Sequence, residues 1–536
     1  MPPGSAGGAQ IEALLARFAK PGSSLDNSSP RALIGAEGAA QNAGQVSQGY
    51  RGRNTYLVTN LNDSGTGSLR WAFEQADANG GRVVPKVSGV VKLSREIKIS
   101  IGSGKAVYYA GQYNHIRVVL DDSYTADSTI GLYGNGDFVC VGLSVARGHG
   151  GERGGSEVEG DDTLSITNFE GRALFVRCSF IGGTDGTVDV SNYLLYGDGT
   201  TSPGRVTFLD CAIGMALGNH GGDLYAGMTG PKVRNCLVDR YFGHVDMIRT
   251  LYLPAGDRGI GLVKGAGFYR CVDSVNYGAK GALASLEFCP SNTTNDGGRL
   301  HAWGTWDNIV SMENRYMNAR GERDIVLGHD KKAGSSSRDN ERLGRIYPGR
   351  VRYTLNGVTY NEDADDLRVI DSSRGTLSGS ARAQYLVSSL EALKDSITLT
   401  GVEHPFTEIS RLELEGVQES VLATVGASRY SWERAFITMA KNDTGWAAAW
   451  QSSGDSRKGD LSGPNSPATL KDIGDLTGAY VDEAVALKTN DVTAKGYSAA
   501  AQAAYGWTDS DMETPLGYGT QWTRGEYLDA VALEAM

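Results

Sequence analysis

The sequence predicts an all-β solenoid, a chain wound coil upon coil into a parallel β-helix, and three observations carry that expectation. Glycine supplies 73 of the 536 residues, with 25 Tyr and only 14 Pro, a balance suited to many short strands joined by tight turns. A short phrase with an aromatic residue or Val three places before a Cys recurs as FVRCSF, FLDCAI, VRNCLV and FYRCVD, around Cys178, Cys211, Cys236 and Cys271. The phrase alternates apolar and polar residues, as a strand with one buried face does, and its intervals of 33, 25 and 35 residues mark a repeat whose insertions fall in loops. Asn314 in VSMENRY and Gly142 in VCVGLS occupy the same slot, so the slot takes small residues. Stacked coils set equivalent side chains about 4.8 Å apart, and small residues then form an internal ladder.

The first element in chain order is an arm, residues 1–28. Ile11, Leu14, Leu15 and Phe18 share one helical face that Pro21 and Gly22 end. The helix is read either as lying on the protein's own body or as anchoring the chain to a larger particle. Glu12 and Arg17 interrupt the apolar run and no basic n-region precedes it, so the segment does not read as a signal peptide.

Residues 29–445 are the expected solenoid. A solenoid's open end exposes strand edges and needs a cap. TYLVTNLNDSGTGSL supplies a strand and a turn, and a helix then starts at the N-cap Ser68, buries Leu69, Ala72, Phe73 and Ala76 on one face, and stops at Asn79-Gly80-Gly81. Residues 446–536 form a linker, WQSSGDSRKGDLSGPNSP, and a small mixed or helical C-terminal extension. There Thr523 and Glu526 make a capping box, followed by Tyr527, Leu528, Val531 and Leu533 on one side. Trp446, Trp450, Trp507 and Trp522 lie in this last part and are read as packing at a contact or stacking on sugar.

The six cysteines, Cys140, Cys178, Cys211, Cys236, Cys271 and Cys289, are read as buried free thiols, since their spacing fits neither a zinc motif nor a paired CxxC. A formal net charge of -11 disfavours nucleic acid and anionic membranes as partners. No apolar run is long enough to predict a membrane span.

GAEGAA (Gly35 to Ala40), YRGRNTYLVTNLNDSGTGSLRWAFE (Tyr50 to Glu74) and VPKVSGVVKL (Val84 to Leu93) resemble the opening of bacterial pectate lyases. YAGQ (Tyr109 to Gln112), DFVCVGLSVARG (Asp137 to Gly148), DDTLSI (Asp161 to Ile166), FVRCSFIGGTDGTVDV (Phe175 to Val190) and VLATVGAS (Val421 to Ser428) continue the likeness in order. The resemblance implies a right-handed parallel β-helix, and a groove lined by one sheet and its loops.

It also implies β-elimination on a uronate sugar. Ca2+ would hold the substrate carboxylate and acidify the adjacent C5 proton, and a base would remove that proton. The implied calcium ligands are Asp162, on one coil, and Asp185 and Asp189 with D-x-x-x-D spacing a coil later; Asp161 is either a fourth ligand or a solvated neighbour. The pattern departs from the family downstream. The Lys expected on the next coil falls near Ile213 and Gly214, and the family's R-x-P-x-x-R phrase reads YFGHVDMIRT. Laid over His244 to Arg249, this makes His244 the catalytic candidate for base and Arg249 the clamp for a substrate carboxylate, with His220 in GNHGGD as a second substrate-binding candidate.

The expected function is therefore calcium-assisted cleavage of an acidic polysaccharide. The arm and the tail point to a virion or extracellular setting, as a phage tailspike or tail fibre, with homotrimer formation or attachment to a larger particle. The alternatives are a receptor-binding or structural virion protein that lost its base, and a secreted bacterial pectate lyase.

Overall fold

The computed structural model describes residues 55–427 with interruptions, the longest at 148–161, 192–203, 215–233, 289–301, 313–323, 330–344 and 397–411, together with 515–517 and 520–523. The arm, the linker and Cys289, Asn314, His220, Asp161 and Asp185 lie outside the described residues.

Three ten-stranded sheets, A, B and C, form the walls of a right-handed parallel β-helix. The chain visits them in rotation: Asp137–Val141 in sheet A leads to Ser144–Ala146 in sheet B and then to Leu164–Phe169 in sheet C. Parallel strands need such crossovers, and right-handed ones dominate because twisted strands pack back onto their sheet that way. At the far end two antiparallel pairs interrupt the rotation, Val351–Leu355 with Val358–Glu362 and Arg368–Asp371 with Gly375–Leu377.

The core runs along the axis. Phe175 and Phe208 sit at equivalent points of adjacent sheet A strands and stack with centroids 4.8 Å apart and planes 8° from parallel. Phe138 lies edge-on to Phe175 at 5.6 Å, and Phe73 joins from the capping helix at 6.3 Å from Phe138.

That cap, α1 (Leu69–Asn79), forms as expected. The Ser68 side chain accepts the Trp71 N–H at 3.2 Å; Leu69, Ala72, Phe73 and Ala76 are fully buried; and Gly80, at φ 72°, ends the helix in a conformation that favours glycine. Ser68→Ala is expected to cost about 1 kcal/mol in urea-induced unfolding, the usual worth of an N-cap.

The corner between sheets A and B explains the repeat and corrects its phase. Gly142, Arg177, Asp210, Arg249, Asp273 and Asn308 occupy one column, with φ of 71°, 50°, 52°, 49°, 50° and 60°. This left-handed residue turns the chain from one wall to the next. The residue after it forms the next column, which opens on Leu143 and continues with the smaller Cys178, Cys211, Thr250 and Ser274. Cys178 and Cys211 thus share a slot, but Cys271 lies inside a sheet A strand in register with Met247, Cys236 lies in sheet C opposite Val188, and Gly142 belongs to the corner itself. Cys140, Cys178, Cys211, Cys236 and Cys271 are buried free thiols, with Cys178 Sγ 3.8 Å from Cys140 Sγ. Their apolar surroundings push the Cys271 thiol up to about 12, so it stays protonated.

The corner between sheets B and C carries a second ladder, of threonines. Thr129, Thr163 and Thr187 are fully buried, and each hydroxyl donates to the carbonyl that ends the sheet B strand of a coil, Ala146, Ile181 and Gly214, at 3.2, 3.1 and 3.3 Å. The Ile181 and Gly214 carbonyls also accept the Arg147 and Gly182 N–H groups of the preceding coil at 3.1 Å each, so a threonine hydroxyl adds a second bond there.

After the coils the chain folds back over them. Beyond α2 (Gly379–Ala383), α3 (Leu390–Asp395) buries Leu393 against Phe268 and Trp303 on the outside of sheet A. α4 (Leu414–Thr424) follows the A–B corner: Leu412 N–H donates to Asp273 at 3.1 Å, Gly426 N–H to the Asp210 carbonyl at 2.7 Å and Ala427 N–H to Ser179 Oγ at 2.9 Å. In the tail, Pro515–Gly517 pairs with Thr520–Thr523, so Thr523 ends a strand, and residues 524–536 lie outside the described residues.

Candidate functional site

Sheet C carries the polar wall of the solenoid. Its strands turn Leu164, Ile166, Val188 and Val190 inward, so alternation points Ser165, Thr167, Asp189 and Ser191 outward. Ser165 and Thr167 hydroxyls lie 3.1 Å apart, and Thr167 and Ser191 hydroxyls 3.4 Å apart on adjacent coils. One coil earlier Tyr133 Oη meets Glu96 at 3.3 Å, and Lys98, its side chain 62% exposed, pairs with the same carboxylate at 3.3 Å.

At one edge of this wall two of the predicted calcium ligands converge. Parallel pairing of Leu164 with Val188 brings Asp162 beside Gly186, whose N–H donates to Asp162 Oδ1 at 3.0 Å. A Cβ built on Gly186 would stand 2.8 Å from Asp162 Oδ1 and 2.7 Å from Asp189 Oδ1. The two carboxylates therefore flank one small space that glycine keeps open. Asp162 is 2% and Asp189 8% exposed, so like charges sit together with little water. A divalent cation with a taste for hard oxygen ligands suits such a cradle. Among the described residues no group of three or more His, Cys, Asp or Glu side chains gathers as a metal site, and the third expected ligand, Asp185, falls outside them.

The expected base and clamp stand apart from this pair. His244 lies on Gly243–Ile248 of sheet A, a different wall, between Arg205 and Phe268 of the flanking strands. It is 4% exposed, with its ring 5.4 Å from Phe268. Burial, chiefly, and the Arg270 and Arg205 guanidiniums push the imidazole well below its ordinary range. Arg249 sits in the left-handed A–B corner, where Nε and Nη2 donate to the two oxygens of Asp210 at 2.8 and 3.1 Å. Burial alone would lower its pKa; the Asp210 and Asp273 carboxylates more than reverse this and hold it above its ordinary value. Arg249 is thus one rung of a corner ladder with Asp210 and Asp273. His220 lies outside the described residues.

The state of His244 has a consequence for stability. The folded chain binds its proton less readily than the unfolded chain, so the native state is favoured fully above the unfolded value of about 6.5 and loses that advantage as pH falls below it. Melting temperature is expected to drop between pH 7 and pH 5, and to drop less in His244→Phe.

No family model matches the chain. Over 167 residues it is 35% identical to a protein named probable pectate lyase C from Aspergillus fumigatus, covering 30% of this chain and 33% of that one. Over 218 residues it is 32% identical to the probable pectate lyase C of Aspergillus terreus, covering 39% and 43%. The chain therefore spans only about a third to two fifths of the length of these relatives. A crystal structure of jun a 1, the major allergen from cedar pollen, aligns with 72% of this chain and 91% of that one at a TM-score of 0.28 and 11% identity. The chain is thus a parallel β-helix that, over its matched residues, is similar to proteins named pectate lyase.

Proposed function

We propose that the chain lays an acidic polysaccharide along the outer face of sheet C and cleaves it by calcium-assisted β-elimination. The observation that carries this reading is the convergence of Asp162 and Asp189 on one glycine-sized space at the edge of a hydroxyl-rich wall. Asp162 and Asp189 would hold the cation, which when bound fixes a uronate carboxylate and acidifies the C5 proton. The Ser165, Thr167 and Ser191 hydroxyls serve as donors and acceptors for sugar hydroxyls. Tyr133 offers a ring edge, and Lys98 a positive charge for a neighbouring carboxylate. The base is assigned to none of the described residues.

A second reading follows from the positions of His244 and Arg249. A chain that kept the wall and lost the base would bind the glycan without cutting it, as a receptor-binding or structural virion protein does. In that version a tailspike or tail fibre, trimeric or attached to a larger particle, would use residues 1–28 as its anchor. The fungal relatives named as pectate lyases favour the free enzyme.

The test is to incubate the full chain with pectate, with Ca2+ and with a chelator, and to follow the ultraviolet absorbance of unsaturated product. Calcium-dependent product supports the lyase, binding without product supports the second reading, and absence of both ends the two together.

A further inference from the structure

Three thiols meet inside the solenoid at its A–B corner, one from each of three successive coils. Cys140 points inward from the sheet A strand Asp137–Val141, and Cys178 and Cys211 follow the left-handed corner residues of the next two coils, Arg177 and Asp210. All three are fully buried, in the same core as Phe175 and Phe208. Cys178 is the middle one. Its Sγ lies 3.8 Å from Cys140 Sγ and 3.5 Å from the Cys140 carbonyl oxygen, and it shares a further hydrogen bond with the Cys211 thiol.

Packing alone does not require sulfur here, since Thr250 and Ser274 fill the later places of the same column. The three thiols also differ from one another in acidity. Burial, first, disfavours a thiolate at each. At Cys178 the hydrogen bonds of the Cys140 and Cys211 thiols and of the Leu143 and Gly142 backbone more than reverse this and hold it below its ordinary value, while Cys140 and Cys211 are pushed well up. One acidic thiol between two reluctant ones is the arrangement in which the first meets an oxidant and a neighbour resolves the product. A disulfide measures about 2.05 Å between sulfurs, so the contact of 3.8 Å falls short of a bond by less than about 2 Å.

We propose that Cys178 is an oxidation site, at which hydrogen peroxide forms a sulfenic acid and Cys140 then closes a disulfide that ties two adjacent coils together. The Cys178 sulfur attacks one peroxide oxygen, the O–O bond breaks, and Cys178 sulfenic acid and water result. The Cys140 sulfur then displaces the hydroxyl, which leaves as a second water with the Cys140 proton. Two thiols are oxidised to one disulfide, and one peroxide is reduced to two waters. Peroxide is close to water in size, which suits thiols reached only when a packed core opens locally. The link joins residues 38 apart in sequence, and so constrains the unfolded chain. The site lies inside the corner of sheets A and B and is independent of the glycan reading of sheet C.

The experiment incubates the full chain with hydrogen peroxide, denatures it in an alkylating reagent, and maps the digest by mass spectrometry. A cross-linked peptide holding Cys140 and Cys178, lighter by two hydrogens than its parts, is expected. The melting temperature should rise by roughly 2–4 °C and return to its starting value with reductant. Cys178→Ala is expected to abolish the link and the rise. Cys140→Ala should move the link to Cys178 and Cys211, and keeps the test valid if Cys178→Ala fails to fold. Recovery of Cys140, Cys178 and Cys211 as alkylated thiols in the wild-type chain overturns the site, and so does sulfinic acid at Cys178 with no link.

Discussion

Asp189→Ala is expected to lower calcium-dependent cleavage of pectate by more than about 100-fold, because even the outer partners of metal ligands cost roughly 10- to 100-fold when removed. Asp189 and Asp162 reach the same space from strands in register, and loss of one halves the carboxylate charge aimed there. The fold should be spared, since Asp189 faces outward between the inward Val188 and Val190. Gly186→Ala should act the same way for a different reason: its methyl group would stand where the two oxygens meet. The readout is initial rate against Ca2+ concentration. Unchanged rates in Asp189→Ala with a normal melting temperature would remove the pair from the chemistry.

The largest effect on stability is expected from Asp246→Ala. Arg270 Nε donates to Asp246 Oδ1 at 2.6 Å, and both side chains are 1% exposed on the outer face of sheet A. Removing the carboxylate leaves a guanidinium in a site with almost no water, which costs about 3–5 kcal/mol. Replacing both partners, as Asp246→Leu with Arg270→Met, should recover most of that loss, since paired burial of charge is worth little over good apolar packing. Urea unfolding of the three variants measures it. A loss below about 1 kcal/mol for Asp246→Ala would mean that the site admits water. The same pair bears on His244, whose imidazole is disfavoured as a cation by Arg270. His244 thus lies on a wall whose outer side packs other side chains, with Phe268 and Trp303 stacked at 5.2 Å beneath Leu393.

Much of the fold was legible because its signals are local. The Ser68 cap, the apolar face of α1 and its glycine stop depend on neighbours within a few residues. The carboxylate pair was legible through the resemblance of DDTLSI and TDGTVDV, and parallel register sets Asp162 beside Gly186, 24 residues on, with Asp189 facing the same space. The phase of the repeat was harder. Cysteines catch the eye, yet Cys178, Cys271 and Cys236 answer three different demands: a corner, a strand interior and another wall. The better phrase was the one opened by glycine before Asp137, Arg172, Arg205, His244 and Phe268, which closes on the left-handed corner residue. Its corner column alternates Arg177, Asp210, Arg249 and Asp273, and in it Arg249 pairs with Asp210. Laying a lyase phrase over His244 to Arg249 matches spacing along the chain and says nothing of which wall each residue reaches. Period-two alternation and the corner together decide that, and they turn His244 out from sheet A and set Arg249 against Asp210.

The most direct measurement is a calorimetric Ca2+ titration of the full chain beside Asp162→Asn and Asp189→Asn. One saturable site in the wild-type chain, lost or greatly weakened in each variant at unchanged melting temperature, is the predicted result. Absence of calcium binding in the wild-type chain, or equal binding in all three proteins, would contradict a cation cradle between these two coils.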